Sequence, residues 1–212
     1  MQFSIMKGST TWRGLPLLTA VVFVLGTTAT AHAQGAAANQ GGLSPELASA
    51  RSGLEKYQDP LLAVHDGYLS TVACIDFPHD AMDGTMHFPA GGMGVHLINM
   101  QNIGPTLDPA KPQVLIYEPE GGKLKLVAAE WFVPVAIAGD KPPSIFGQTL
   151  MGPMDGHAPI MPPELRHYDL HVWLWKTNPS GMFSPTNPAV KCDARGYEVK
   201  EDGSGAAHSH GE

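Results

Sequence analysis

The segment 168–175 (YDLHVWLW) places the strongest constraint on the fold of this chain. It is rich in aromatic and β-branched residues and contains neither glycine nor proline, which is typical of a β-strand inside a sheet. Because side chains alternate along a strand, the segment has two distinct faces. The predicted core face carries Tyr168, Leu170, Val172 and Leu174, and the opposite face carries His167, Asp169, His171, Trp173 and Trp175.

Other strands are predicted on both sides of the turn 119–122 (PEGG), over 113–118 and 123–135, and a short apolar strand over 95–99. The segments 77–94 and 142–163 are rich in glycine and proline and are predicted to be long loops. A four-residue turn would pair Glu118 with Lys123 and leave Glu118 on the outer face.

Two helix starts precede these strands. Ser44-Pro45-Glu46 combines an N-cap residue, a first-turn proline and a first-turn acid, and Asp59-Pro60 repeats the signal. The second helix is expected to run toward residues 71–74, with Leu61, Val64, Tyr68 and Leu69 on its apolar stripe. We therefore expect an α+β fold, with N-terminal helices packed on a curved antiparallel sheet or a partly open β-barrel.

The first 33 residues have the features of a secretory signal peptide. Lys7 and Arg13 precede the apolar run 15–25, and Ala31-His32-Ala33 matches a signal-peptidase site. The run is too short to span a bilayer, so the protein is not expected to be membrane-embedded after cleavage. We expect a flexible leader over 34–43, one globular domain over 44–193 and a disordered tail over 194–212 that contains His208 and His210. The predicted location is periplasmic or secreted.

The chain has two cysteines, Cys74 and Cys192, and both lie in the predicted globular domain. Export would deliver them to an oxidising compartment, which favours one structural disulfide. Two free thiols or a redox pair are the alternatives, although Cys-x-x-Cys spacing is absent. The net charge is −7 and no basic block occurs, so nucleic acid is not an expected partner.

Three residues are candidates for a metal site. Glu130 falls on the predicted inner face of its strand, together with Leu124, Leu126, Ala128 and Phe132. A carboxylate on that face needs a cationic partner, a metal ion or a proton. His96 and His171 lie on two further predicted strands. Two histidines and a carboxylate with an open position are typical of catalytic zinc or non-haem iron. A structural salt bridge for Glu130 and structural roles for the histidines remain the alternatives.

A second set of residues predicts a different use of the same surface. Trp173 and Trp175, with His167 and His157, would line an apolar ligand pocket. Copper is also considered, because methionines and histidines occur together in the two long loops. The alternative for these methionines is to fill irregular packing. They are Met82, Met86, Met93, Met151, Met154 and Met161, beside His79, His87 and His157.

Several short motifs resemble those of a group of small exported bacterial proteins that has no assigned activity. They are 93–96 (MGVH), 107–109 (LDP), 117–119 (YEP), 170–175 (LHVWLW) and 178–183 (NPSGMF). The resemblance covers roughly residues 60–192. It implies export and a bacterial origin, implies no catalytic residue, and draws attention to Glu118.

Three functions remain open at this point. The first is a metal-binding protein or metalloenzyme that binds one transition-metal ion (Zn, Fe or Cu) and acts on a small molecule. The second is a non-catalytic periplasmic binding module with an aromatic-lined apolar pocket. The third is a structural, envelope-associated protein. The sequence indicates no oligomeric state and no nucleophile or nucleotide motif.

Overall fold

The computed structural model of the 212-residue chain describes residues 42–83, 86–157, 161–192 and, for the backbone alone, 198–200. The predicted signal peptide and most of the predicted leader lie outside the described residues. So does the predicted disordered tail, except for residues 198–200, which form a short strand. None of the helices in the described ranges is long and apolar enough to cross a membrane.

The described chain begins with two helices at the predicted starts. Helix α1 spans Pro45–Leu54, and the Ser44 side chain accepts a hydrogen bond from the backbone N–H of Leu47. A 3₁₀ turn over Glu55–Gln58 leads to α2 at Pro60–His65, where Asp59 caps the N–H of Leu61. A further short helix, α3, spans Val135–Ala138.

The second helix is shorter than predicted. Helix α2 ends at His65, Gly67 follows with φ of +95°, and the Asn99 side chain donates a hydrogen bond to the carbonyl of Asp66. Only glycine adopts this backbone conformation without strain, so the chain leaves the helix there. The predicted continuation into residues 71–74 is wrong, because that segment belongs to a strand. The predicted stripe is largely exposed: Leu61, Val64 and Leu69 face solvent, and Tyr68 is buried.

Most of the remaining chain is β-structure. The strands in the described residues are β1 (Leu69–Phe77), β2 (Ala81–Asp83), β3 (Met86–Phe88), β4 (Gly91–Ile98), β5 (Val114–Glu120), β6 (Lys123–Pro134), β7 (Ser144–Ile145), β8 (Gln148–Thr149), β9 (Met151–Met154), β10 (His167–Val172) and β11 (Glu198–Lys200). Seven of them form one strongly curled sheet in the order β11-β1-β4-β5-β6-β10-β9, which is antiparallel except for the parallel pair β1–β11. The pairs β2–β3 and β7–β8 form two separate hairpins.

The two predicted long loops therefore contain regular structure, and the first is mostly strand. Residues 77–94 include the β2–β3 hairpin and the first half of β4. The glycines that indicated a loop allow close packing instead: a Cβ atom at Gly91 would lie 2.6 Å from the backbone of Asn187 and Pro188. Gly92 and Asn187 exchange two backbone hydrogen bonds at this point. The second segment, 142–163, includes β7, β8 and β9.

Three hydrophobic clusters hold the domain together. The main core joins the helices to one face of the sheet, and the inner core covers part of the opposite face. The third cluster contains methionines and phenylalanines. The main core includes Leu47, Leu54, Tyr57, Val95, Leu115, Tyr117, Leu126, Trp131 and Leu170; the inner core is Val114, Ile116, Val127, Ala128, Phe132, Trp173 and Val190; the methionine cluster is Ile75, Phe77, Ala81, Phe88, Met93 and Met154, with Met86 and Met151 beside it.

The predicted disulfide between Cys74 and Cys192 is present and joins β1 to the end of the C-terminal segment. The same segment is fastened to β5, because the Glu118 carboxylate accepts hydrogen bonds from the Lys176 ammonium at 2.6 Å and from the backbone N–H of Lys191 at 2.9 Å. The fold is thus α+β with one disulfide, as predicted. The disulfide is consistent with an extracellular location.

Candidate metal centre

A β-bulge in β6 determines which side chains share a face with Glu130. Leu126 pairs with Tyr117 and Ala128 pairs with Ile116, so Val127 is an extra residue that has no partner in this register. The prediction that Leu126 and Glu130 share one face is therefore wrong. Leu126 lies in the main core, whereas Ala128, Glu130 and Phe132 lie on the face opposite the helices.

The turn between β5 and β6 also differs from its prediction. Gly121 and Gly122 form a two-residue turn with φ of 59° and 77°, which is the conformation of a tight hairpin. Glu120 therefore pairs with Lys123, and Glu118 pairs with Lys125. The prediction of an outward Glu118 is wrong, since only 4% of this residue is exposed.

Three strands bring the candidate ligands to this face. His171 on β10 lies directly opposite Glu130 on β6 in the strand register. His96 lies on β4, which is separated from β6 by β5, and the curl of the sheet brings it back toward Glu130. All three residues are almost completely buried, with exposures of 4% for His96, 2% for Glu130 and 0% for His171.

The distances between these side chains fit a shared ion better than hydrogen bonds. The Oε2 atom of Glu130 lies 3.5 Å from Nε2 of His96 and 3.6 Å from Nε2 of His171. An N–H···O hydrogen bond is about 2.7–3.2 Å long. Two ligands held about 2.0–2.2 Å from a tetrahedral metal lie about 3.3–3.6 Å apart. The three candidate ligand atoms lie within 4.8 Å of one another, so one ion can contact all of them.

A second group shares Glu130 with the first. Glu130, His167 and Asp169 also present ligand atoms within 4.8 Å of one another. The Asp169 carboxylate lies between two rings, 3.7 Å from Nδ1 of His171 and 3.8 Å from Nε2 of His167. Asp169 is thus placed either to bind an ion or to orient the rings that do.

Backbone carbonyls orient two of the histidines. Nδ1 of His96 lies 3.2 Å from the carbonyl oxygen of Gly94, and Nδ1 of His167 lies 3.0 Å from that of Leu165. A hydrogen bond donated from Nδ1 leaves Nε2 without a proton and with its lone pair facing the cluster. Such an outer hydrogen bond is the usual arrangement around a metal-bound histidine.

Several buried polar atoms of the cluster have no hydrogen-bond partner among the described residues. They are Oε2 of Glu130, Oδ1 of Asp169, Nε2 of His157 and both ring nitrogens of His171. A buried polar group without a partner costs about 1–3 kcal/mol, so several in one place require an explanation. A cation bound by His96, Glu130 and His171 would accept electron pairs from two of these atoms, Oε2 of Glu130 and Nε2 of His171.

Burial favours the neutral form of each group. It lowers the pKa of His96 to about 4, lowers the pKa of His171 well below its ordinary value, and raises the pKa of Asp169 to about 7. The pKa of Glu130 is raised by burial and, to a lesser extent, by the nearby charge of Asp169. A divalent cation would reverse the preference of the two carboxyl groups, because its charge favours the carboxylate form.

The predicted aromatic pocket is only partly brought together. The rings of His157 and His167 lie 6.4 Å apart, and burial lowers the pKa of His157 to about 4. Strand β10 ends at Val172, however, and the two tryptophans diverge. Trp173 enters the inner core and donates a hydrogen bond to the carbonyl of Ser184, whereas Trp175 packs against the main core and donates to Glu55.

Four of the six methionines lie in a hydrophobic cluster. Met86, Met93, Met151 and Met154 pack with Phe77 and Phe88 in the methionine cluster, which matches the alternative that they fill irregular packing.

The sequence patterns indicated no role for Asp169 and predicted His167 to line a ligand pocket. The signal that could have placed them in the cluster is the alternation His167-x-Asp169-x-His171, which directs three polar side chains to one face of a strand. All three are at most 2% exposed. Three buried polar side chains on one strand face are costly unless they bind something together.

Comparisons of the chain with protein-family models, with curated proteins and with solved structures find no match. The buried histidine–carboxylate cluster is the feature of this fold that bears most directly on function.

Proposed function

We propose that this chain is an exported bacterial protein that binds one transition-metal ion through His96, Glu130 and His171. The observation that carries the proposal is the position of Glu130. Its Oε2 atom has no hydrogen-bond partner among the described residues and lies within 3.6 Å of the Nε2 atoms of both histidines.

The donor set favours zinc or iron. Two imidazoles and one carboxylate form the ligand set of many catalytic zinc sites and of the facial triad that holds non-haem Fe(II). Copper is less well supported, because four of the six methionines that suggested it pack in a cluster of their own.

Three protein ligands leave coordination positions open, which is the arrangement of a catalytic rather than a structural metal. We propose a metalloenzyme that acts on a small molecule, where the ion would polarise a substrate oxygen or activate water. Asp169 lies 3.7 Å from Nδ1 of His171 and 3.8 Å from Nε2 of His167. It would orient the His171 ring by accepting a hydrogen bond from Nδ1 once the metal draws the ligands together.

The proposal that the protein is exported is supported by observations other than the metal site. The signal-peptide features of residues 1–33, the resemblance to exported bacterial proteins and the disulfide all favour a periplasmic or secreted location.

Elemental analysis of the mature protein, purified from the periplasm without an affinity tag, tests the proposal. We expect near-stoichiometric zinc or iron, lost in Glu130→Gln and in His171→Ala. His65→Ala is the matched control, because the His65 side chain is 82% exposed and belongs to neither candidate metal group. The variant His208→Ala/His210→Ala controls for adventitious binding by the tail.

Two outcomes would contradict the proposal. The first is less than about a tenth of an equivalent of any metal, with no uptake when metal is added back. This result would exclude a bound metal ion, since a buried three-ligand site retains metal through purification. Metal that is lost in His208→Ala/His210→Ala and retained in Glu130→Gln would assign binding to the tail. The non-catalytic module or the envelope-associated protein would then be favoured.

A further inference from the structure

An apolar pocket of about 480 Å³ lies on the same side of the sheet as the histidine–carboxylate cluster. Its size is within the range of about 300–1,000 Å³ that is usual for small-molecule sites. Phe132 and Met161 are buried at its inner end, whereas Met100, which is 63% exposed, lies at its rim. The pocket thus leads from the surface toward the interior.

The pocket adjoins the candidate ligands along two strands. Ile98 follows His96 by two residues on β4, and Phe132 follows Glu130 by two residues on β6. Residues two apart on a strand point to the same face and lie about 6.5–7 Å apart. The ring of Phe132 also meets the ring of His167, with 5.7 Å between their centroids. A molecule in the pocket would therefore lie beside the cluster.

The lining of the pocket defines the chemistry of its occupant. Its walls are almost entirely apolar, and among the lining residues that the structure describes only Glu164, which is exposed, carries a charge. A carboxylate near the rim disfavours an anion, and the apolar walls offer no partner for buried polar groups. An uncharged molecule with a mainly hydrocarbon or aromatic surface matches this lining.

We propose that this pocket is the substrate site of the metal centre and that it binds a neutral, apolar small molecule. The assignment rests on the proposed function. A substrate in the pocket would lie beside the proposed metal site, two residues along β4 and β6 from His96 and Glu130.

Two related dyes test the charge and polarity of the occupant. N-phenyl-1-naphthylamine is neutral and apolar, and 8-anilinonaphthalene-1-sulfonate adds one sulfonate to the same ring system. In fluorescence titrations of the mature, metal-loaded protein we expect the neutral dye to bind at least about tenfold more tightly than the sulfonate. Glu164→Gln should increase the affinity for the sulfonate and leave that for the neutral dye within about twofold.

Matched variants locate the bound dye. Met100→Trp adds bulk at the rim and should weaken binding of the neutral dye at least about tenfold, whereas Met100→Leu should change it by less than about twofold. Leu61→Ser is the control for dye on the exposed apolar surface of α2, where Leu61 is 74% exposed. Binding that is insensitive to Met100→Trp, or that is lost in Leu61→Ser, overturns the proposal.

The absorption spectrum of bound Co²⁺ tests whether the pocket lies beside the metal centre. In protein reconstituted with Co²⁺, saturation with the neutral dye should shift the visible absorption bands of the ion, and this shift should disappear in Met100→Trp. Dye binding with an unchanged cobalt spectrum overturns the assignment as a substrate site. A protein that takes up no Co²⁺, Zn²⁺ or Fe²⁺ contradicts the proposed function instead, and the dye titrations then decide separately whether the pocket binds an apolar molecule.

Discussion

Asp169 shows most clearly how the candidate ligands depend on one another. Its carboxylate is 2% exposed and lies within 3.8 Å of both His167 and His171. If it orients His171 from outside the coordination sphere, its loss should weaken the site without abolishing it. If it is a direct ligand, its loss should be as severe as that of Glu130.

The first prediction follows from this difference. We expect Asp169→Asn to weaken zinc affinity about 10–100-fold, the usual effect of losing an outer carboxylate. Glu130→Gln should abolish near-stoichiometric binding. Competition titrations with a chromophoric chelator measure both variants under one set of conditions. If Asp169→Asn loses zinc binding and His96→Ala retains it, the ion is bound by the group formed by Glu130, His167 and Asp169.

The second prediction concerns pH. In the metal-free protein burial raises the pKa of Asp169 to about 7 and also raises the pKa of Glu130. Asp169 therefore still holds a proton over part of the range from pH 6 to 8, and a bound metal would displace it. The pKa of His96 is lowered to about 4, so this ring is already neutral and releases none near pH 7. Apparent zinc affinity should rise between pH 6 and 8, by up to about tenfold per pH unit for each displaced proton.

Calorimetric titrations in buffers with different heats of ionisation count those protons. Asp169→Asn should release fewer protons than the parent protein because one titrating carboxyl is gone. A zinc affinity that is constant from pH 6 to 8, with no proton release, would show that the carboxyls are already ionised in the metal-free protein.

At the scale of elements, strands were easier to predict than their register. The alternating pattern of 168–175 identified β10, and the Gly-containing turn identified the β5–β6 hairpin. The bulge at Val127 has no marker in the sequence, because it depends on how β5 and β6 pack against the two cores. Glu130 was predicted to be inward and is buried, although it shares its face with Ala128 rather than with Leu126.

Glu118 provides a test of one contact between elements. Its buried carboxylate joins β5 to Lys176 and to the backbone of Lys191, and hydrogen bonds to a charged group contribute about 1.5–3 kcal/mol each. We expect Glu118→Ala to lower the free energy of unfolding by about 2–4 kcal/mol, because Lys176 is partly exposed and its contribution is screened.

Urea denaturation followed by circular dichroism measures this change. Glu120→Ala is the matched control on the same strand: its side chain is 65% exposed, its contact with Lys125 is 3.4 Å, and the expected change is within about 0.5 kcal/mol. Equal effects of the two substitutions would show that the network of Glu118 does not hold the C-terminal segment.

At the scale of the whole molecule, composition and order of elements predicted the α+β class, the curled sheet and the disulfide. The prediction of a long loop over residues 77–94, made from its glycine-rich pattern, was wrong. Gly91 and Gly92 are required by the close approach of residues 187–190, which lie far away in the sequence. The residues of the predicted aromatic pocket are brought together only in part, for a similar reason. The chain turns after Val172, and contacts with Ser184 and Glu55 draw Trp173 and Trp175 apart.

The last prediction concerns the disulfide as a constraint on the complete domain. Cys74 and Cys192 are 118 residues apart, so the bond closes most of the described chain into one loop and fastens the C-terminal segment to β1. Loop-closure entropy for such a length is worth about 4–5 kcal/mol. The double variant Cys74→Ser/Cys192→Ser should therefore unfold at markedly lower urea concentration than the parent, and adding a reductant should lower the parent's midpoint while leaving that of the variant unchanged. A variant that is as stable as the oxidised parent would show that Glu118, Lys176 and the backbone pairing of Gly92 with Asn187 suffice to hold this segment.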